Sequence, residues 1–195
     1  MEKVKLNFAY GTNELPELRP LQNVWKRQAD ASEFYDIAGF HGIPELQQSI
    51  QQRFEARGVK GELSPRQVMV TSGGTEALFT SLLWLRSIGG RVILQHPSWG
   101  YFADTLQLLD IPFTYSFSTQ TKGLEKELRE VETTGPLLFL LTHPSNPFSF
   151  IFSDNYLKTL SRWVASRETH FVLSDEIYDW YVGPSDDYLS CSTIH

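Results

Sequence analysis

From Gln67 onward the chain alternates short apolar runs with longer stretches whose apolar residues recur at helical spacing. Gln67–Thr71 (QVMVT), Arg91–Gln95 (RVILQ), Pro112–Phe117 (PFTYSF), Leu137–Thr142 (LLFLLT) and Phe171–Ser174 (FVLS) predict five strands. The segments between them predict helices: one opening near Gly74 (GTEALFTSLLWLRSI), then Tyr101–Leu109, Leu124–Val131 and Asp154–Ser166. Upstream, Ile43, Leu46, Ile50 and Phe54 share one helical face, with Pro44 in the first turn and Gly58 at the end. The first forty residues, including NFAYGTNELPELRP, show no such periodicity and read as an arm and loop. Residues 41–195 read as the folded part.

Strands that are apolar on both faces and separated by helices imply a mainly parallel sheet covered on both sides, an α/β class with three αβα layers. In such sheets ligands bind beyond the carboxyl ends of the strands. The chemistry is therefore expected just after each strand.

Composition narrows the function. The 195 residues carry 17 Lys+Arg against 23 Asp+Glu, a net charge of -6, with no long basic run, which disfavours nucleic-acid binding. Five Trp, eight Tyr and thirteen Phe argue against disorder. A single cysteine, Cys191, allows no internal disulfide, and no run of about 18 apolar residues occurs, so a cytoplasmic protein without a membrane span is expected. The five histidines are scattered rather than set at ligand spacing, which argues against a metal site.

Four strand ends carry candidate chemistry. Ser72-Gly73-Gly74-Thr75 opens a helix, where free N–H groups and the helix dipole favour an anion such as phosphate; a tight turn capped by Thr75 accounts for the same residues. His96-Pro97-Ser98-Trp99 places an indole at a loop-to-helix junction, able to face a planar ring or simply to fill a core. His143-Pro144-Ser145-Asn146-Pro147 is a proline-bracketed turn, and a cis bond at the second proline would hold Asn146 at the strand end. Asp175-Glu176-Ile177-Tyr178 ends a strand with an acid, which suits a cationic ring nitrogen or the cap of a following turn.

In this order and over this span, the four motifs resemble the large domain of fold-type I pyridoxal-phosphate enzymes, the class I/II aminotransferases. The resemblance runs from about Val4 to Tyr178. It implies that Gly74 and Thr75 hold the cofactor phosphate and that Trp99 stacks on the pyridine ring. It further implies that Asn146 and Tyr178 bond the ring hydroxyl oxygen, and that Asp175 pairs with the protonated ring nitrogen. Gly11 would lie near the substrate carboxylate. Tyr35 would stand for the tyrosine that family members donate across a dimer interface; the usual place of that tyrosine is Ile37 here. The implied ligands are pyridoxal 5'-phosphate, an amino acid and a keto acid, in a homodimer or with a complementary C-terminal chain.

Two departures shape the expectation. The family's N-P-T-G turn reads Asn146-Pro147-Phe148-Ser149, and no lysine follows Lys158, whereas the family's Schiff-base lysine lies a few dozen residues beyond the ring-nitrogen Asp. The family's C-terminal small domain is not encoded before His195. The expectation is therefore an aminotransferase-like protein, inactive or dependent on a complementary part when these residues stand alone. The alternative is a noncatalytic module binding a partner protein or a phosphorylated ligand.

Overall fold

Runs such as LLFLLT have no polar face to offer to water, so they are stable only as inner strands, and the structure places them so. A computed structural model describes residues 19–29, 39–59, 64, 67–131, 134–183 and 188–193. The chain forms two compact units, Met1–Gly39 and Phe40–His195.

In the first unit, residues Arg19–Ala29 form helix α1 within the stretch that shows no periodicity over its full length. Pro20 sits in its first turn, and Leu21, Val24 and Trp25 make an exposed apolar stripe at i, i+3 and i+4.

The second unit begins with α2 (Pro44–Ala56) and α3 (Gly74–Ser87). It continues with β1 (Arg91–Gln95), α4 (Gly100–Leu108), β2 (Phe113–Ser116), α5 (Thr121–Glu130), β3 (Leu137–Thr142), α6 (Asp154–Ala165) and β4 (His170–Asp175). The four strands form one sheet in the order β2-β1-β3-β4, and every neighbouring pair is parallel. Register pairs Leu94 with Tyr115 and with Leu140, and Thr142 with Asp175, so the carboxyl ends of β3 and β4 lie side by side.

Helices cover both faces. On one, Leu78, Leu82 and Leu85 of α3 and Phe102 and Leu106 of α4 pack against Val92, Leu94, Leu138 and Leu140. On the other, Leu124 and Leu128 of α5 and Tyr156, Leu157 and Leu160 of α6 pack against Ile93, Phe139 and Leu141. Each fully buried Leu or Phe contributes about 1.5–3 kcal/mol relative to exposure, which is what holds the three layers together. β3 is buried along its whole length, whereas β4, at the sheet's edge, is only half-covered beyond His170. Beside β4, a cleft of about 430 Å³ is lined by Leu157, Leu160, Val164, Val172 and Cys191.

One expected strand is absent from the sheet. Residues 67–71 form no strand and pair with none, which corrects the expectation of five strands to four among the described residues. Their backbone groups find other partners. The Gln47 side-chain amide, buried on α2, donates to the Val68 carbonyl at 3.0 Å, and the Val70 N–H donates to the His41 carbonyl at 3.1 Å. Gly42, at φ +100°, brings the backbone so close to Val70 that an added Cβ would meet its Cγ2 at 2.6 Å. The alternation of buried Val68 and exposed Met69 is real; the cross-strand neighbour is what is missing.

Candidate functional site

Because all strands are parallel, their carboxyl ends gather at one end of the sheet, and α3, which runs back into β1, presents its N-terminus there as well. Gly73 adopts φ +84° before α3, and an added Cβ at Gly73 or Gly74 would meet nothing within 4 Å. No side chain caps this helix, and Gly74 and Thr75 are exposed. Thr71 Oγ1 instead bonds the Gly73 carbonyl at 2.9 Å, fixing the turn. An open, uncapped helix start with glycines in front of it is a cradle for an anion.

After β1 the chain passes the cis His96–Pro97 bond to Trp99, at the N-cap of α4. Its indole lies on Tyr101, with centroids 4.8 Å apart and planes at 30°, and edge-on to Phe102 at 5.7 Å. Trp99 remains 42% exposed, so the indole is not a core filler.

β3 leads into a turn with cis bonds at His143–Pro144 and Asn146–Pro147. The turn closes through Ser149 N–H to the Ser145 carbonyl at 2.7 Å and Ser145 N–H to the Phe150 carbonyl at 2.8 Å. Ser149 sits at φ +56°, the left-handed region that glycine adopts without steric cost. From this turn the Asn146 amide donates to the Tyr178 hydroxyl oxygen at 2.9 Å.

β4 ends at Asp175. Its Oδ1 accepts the Ile177 N–H at 3.2 Å, the turn-capping role open in the sequence. Burial, which disfavours the charged form, raises the Asp175 carboxyl above its ordinary value; the Ile177 bond opposes this and the Glu176 charge adds to it. Among the described residues no cation pairs with Asp175. Two buried hydroxyls at the end of β3, Thr142 Oγ1 and Ser145 Oγ, also lack a hydrogen-bond partner among the described residues. A half-buried acid without a cation among the described residues, with the orphaned Thr142 hydroxyl on its register partner, suits a polar ligand.

The structure thus brings Asn146 and Tyr178 into direct contact and sets Asp175 beside Thr142. It places Gly74, Thr75 and Trp99 at the starts of helices on the same face of the sheet. Gly11 and Tyr35 lie outside the described residues. No group of three or more His, Cys, Asp or Glu able to hold a metal occurs among the described residues. No helix among them is long and apolar enough to cross a membrane.

Behind these residues lies a network that the motifs do not announce. The guanidiniums of Arg53 on α2 and of Arg57 at its C-cap both bond the carboxylate of Asp179, with Arg53 Nη2 2.7 Å from Oδ2. The Arg53 guanidinium also lies 3.4 Å over the Trp180 ring. Glu176 accepts from Ser174 Oγ at 3.0 Å, the Cys191 N–H at 2.9 Å and the Tyr188 hydroxyl at 3.0 Å. His143 Nδ1 accepts the Phe152 N–H at 3.4 Å, which puts the ring proton on Nε2, 2.9 Å from the Leu189 carbonyl. The only sequence signal for this network is that Glu176 and His143 sit within the strand-end motifs.

Comparison with known proteins accords with this architecture. The sequence profile described as "Aminotransferase class I and II" matches residues 3–194. An aspartate aminotransferase of Thermotoga maritima is 32% identical over 154 residues, covering 76% of this chain and 40% of the relative. An asparagine–oxo-acid transaminase of Streptococcus mutans is 28% identical, over 83% of this chain and 41% of the relative. The crystal structure of the aspartate aminotransferase from Thermotoga maritima superposes with a TM-score of 0.80 at 25% identity, over 97% of this chain and 50% of that one. The chain spans about two fifths of the length of these curated relatives. With the profile matched over nearly every residue and the strand-end geometry in place, the chain belongs to the class I and II aminotransferase family.

Proposed function

We propose that these 195 residues form the pyridoxal-phosphate-binding half of an aminotransferase acting on an amino acid and a keto acid. The observation that carries this reading is Asp175, a half-buried carboxyl at the end of β4 with no cation beside it and the Asn146–Tyr178 pair close by in sequence and sheet position. Asp175 would pair with a protonated ring nitrogen there.

In this reading the uncapped start of α3, with Gly74 and the Thr75 hydroxyl, binds the phosphate, at about 0.3–1 kcal/mol for an exposed helix terminus. Trp99 offers its exposed face to the ring. Tyr178, whose oxygen accepts from Asn146, keeps its own proton to donate to a ring oxygen. Asp175 holds a proton at the ring nitrogen through a charged hydrogen bond worth about 1.5–3 kcal/mol. When bound, the cofactor supplies the electron sink that draws charge from the substrate α-carbon. Gly11 and Tyr35 are assigned to the substrate side and to the partner subunit.

No lysine follows Lys158, so the covalent lysine and the base it provides are assigned to polypeptide outside these residues. The half-covered strand β4 and the apolar cleft beside it support a complementary polypeptide completing the sheet, within a homodimer of cytoplasmic location. On their own these residues bind the cofactor reversibly and do not turn over.

The test is an absorbance titration of the 195-residue chain with pyridoxal phosphate, followed by borohydride reduction and mass analysis. Reversible binding weakened by Asp175→Ala, with no reducible adduct, is the expected result. A stoichiometric adduct at one lysine overturns the assignment of that lysine elsewhere. Absence of binding replaces the reading with a noncatalytic module that takes a protein partner or another phosphorylated ligand.

A further inference from the structure

Asn146 and Tyr178 come from loops that follow different strands, and a part-buried hydrogen bond joins their side chains at the front. Such a bond survives as a fixed geometry only if both loops are held in place by something else. The structure shows what holds them from behind. Tyr188 stacks on His143, with centroids 4.9 Å apart and planes at 20°, and donates its hydroxyl to Glu176 Oε2 at 3.0 Å. His143 lies three residues before Asn146, and Glu176 two residues before Tyr178. One phenol therefore touches the base of both loops.

We propose that Tyr188 is a positioning residue for the Asn146–Tyr178 pair, setting the separation of the two loops through His143 on one side and Glu176 on the other. The backbone that follows Tyr188 reinforces this, because the Leu189 carbonyl and the Cys191 N–H bond the same two side chains. Burial and then the Glu176 charge raise the Tyr188 phenol well above its ordinary value, so it stays a donor through the neutral range. The contact geometry stands by itself; its consequence for a ligand rests on the pyridoxal-phosphate reading above.

The experiment compares the wild-type chain with Tyr188→Phe, which keeps the stacked ring and deletes the hydroxyl. Glu176→Gln serves as a second route to the same bond, and Leu128→Ala, in the core under α5, as a control destabilised elsewhere. Two quantities are read: the side-chain amide NMR signal of Asn146 in ligand-free protein, and the dissociation constant for pyridoxal phosphate. Tyr188→Phe and Glu176→Gln are expected to shift the Asn146 signal and weaken binding about three- to tenfold, while Leu128→Ala leaves both unchanged. Folded variants with an unchanged Asn146 signal overturn the proposal. Equal shifts in the control also overturn it, since the effect would then be general loosening. A shifted Asn146 signal in a chain that binds no pyridoxal phosphate upholds the positioning role and sinks the cofactor reading alone.

Discussion

The Asn146 amide donates to the Tyr178 phenol across 2.9 Å, although 32 positions separate the two residues. Tyr178→Phe deletes the acceptor and strands the amide, so the bond contributes through both partners. Pyridoxal-phosphate affinity is expected to fall about three- to tenfold, for a loss of about 0.5–1.5 kcal/mol. Titration monitored by tryptophan fluorescence checks this, and an unchanged affinity removes Tyr178 from the cofactor contacts.

The proposed cofactor role of Asp175 sets binding against stability. Its folded carboxyl is raised above 3.8 by burial, so its contribution favours the fold below that pH and is lost as pH rises through the raised value. Asp175→Asn keeps an oxygen for the Ile177 N–H and removes the buried charge. The ligand-free variant is expected to melt at a higher temperature than wild type at neutral pH, with the difference closing toward pH 3.8. Its cofactor affinity is expected to drop at least about tenfold, the lower end of a charged hydrogen bond. Paired melting curves and titrations separate the two effects.

Ser149 occupies φ +56° in the turn after Asn146. A left-handed conformation costs a non-glycine residue about 1–2 kcal/mol, part of which glycine's greater freedom in the unfolded chain takes back. Ser149→Gly is therefore expected to stabilise the protein by roughly 0.5–1 kcal/mol, measured by urea unfolding. A destabilised variant would mean that the Ser149 side chain makes contacts outweighing its strain.

Asp179 stands between two arginines and is itself only 11% exposed. Asp179→Ala leaves both guanidiniums facing an apolar gap beside Trp180. A loss of about 1–3 kcal/mol is expected, read from the urea midpoint. The partial exposure of Arg53 and Arg57 keeps the figure below that of a fully buried pair. A change within a few tenths of a kcal/mol would mean that solvent replaces the carboxylate.

His143 makes the fold sensitive to mild acid. Burial lowers its pKa below the ordinary 6.5, with the Leu189 bond and the Glu176 charge opposing the shift. The neutral ring's contribution is complete above 6.5, and it is lost as pH falls through the lowered folded value, because the unfolded chain takes up the proton first. His143→Asn is expected to flatten the fall in stability as pH drops below 6.5, in a series of urea midpoints. An unaltered slope would assign the acid sensitivity to other groups.

Most of the sheet was readable from local pattern. Arg91–Gln95 and Leu137–Thr142 match their expected bounds to the residue, since a run apolar on both faces has only the inside of a sheet to occupy. The QVMVT segment failed for the complementary reason: its alternation predicts an extended chain, but pairing is a long-range choice, and Gln47 and His41 took up its polar groups. At the strand ends, the placement of Asn146, Asp175 and Tyr178 at one end of the sheet was legible, because parallel topology gathers the carboxyl ends of the strands there. Tyr188 was not, because its meaning lies wholly in contacts to His143 and Glu176, 45 and 12 positions away.

The order β2-β1-β3-β4 also sets a schedule for folding. The first of the described strands to be made, β1, is an inner one, and each of its neighbours arrives only after an intervening helix, so each of these pairings closes a long loop before it is rewarded. Among the described strands no pair can form on a chain emerging from the ribosome until Phe113–Ser116 appears, and β1 stays bare on one side until Leu137–Thr142 follows. Among these four strands the sheet therefore grows outward in both directions from β1, and β4, which carries Asp175, joins after the other three.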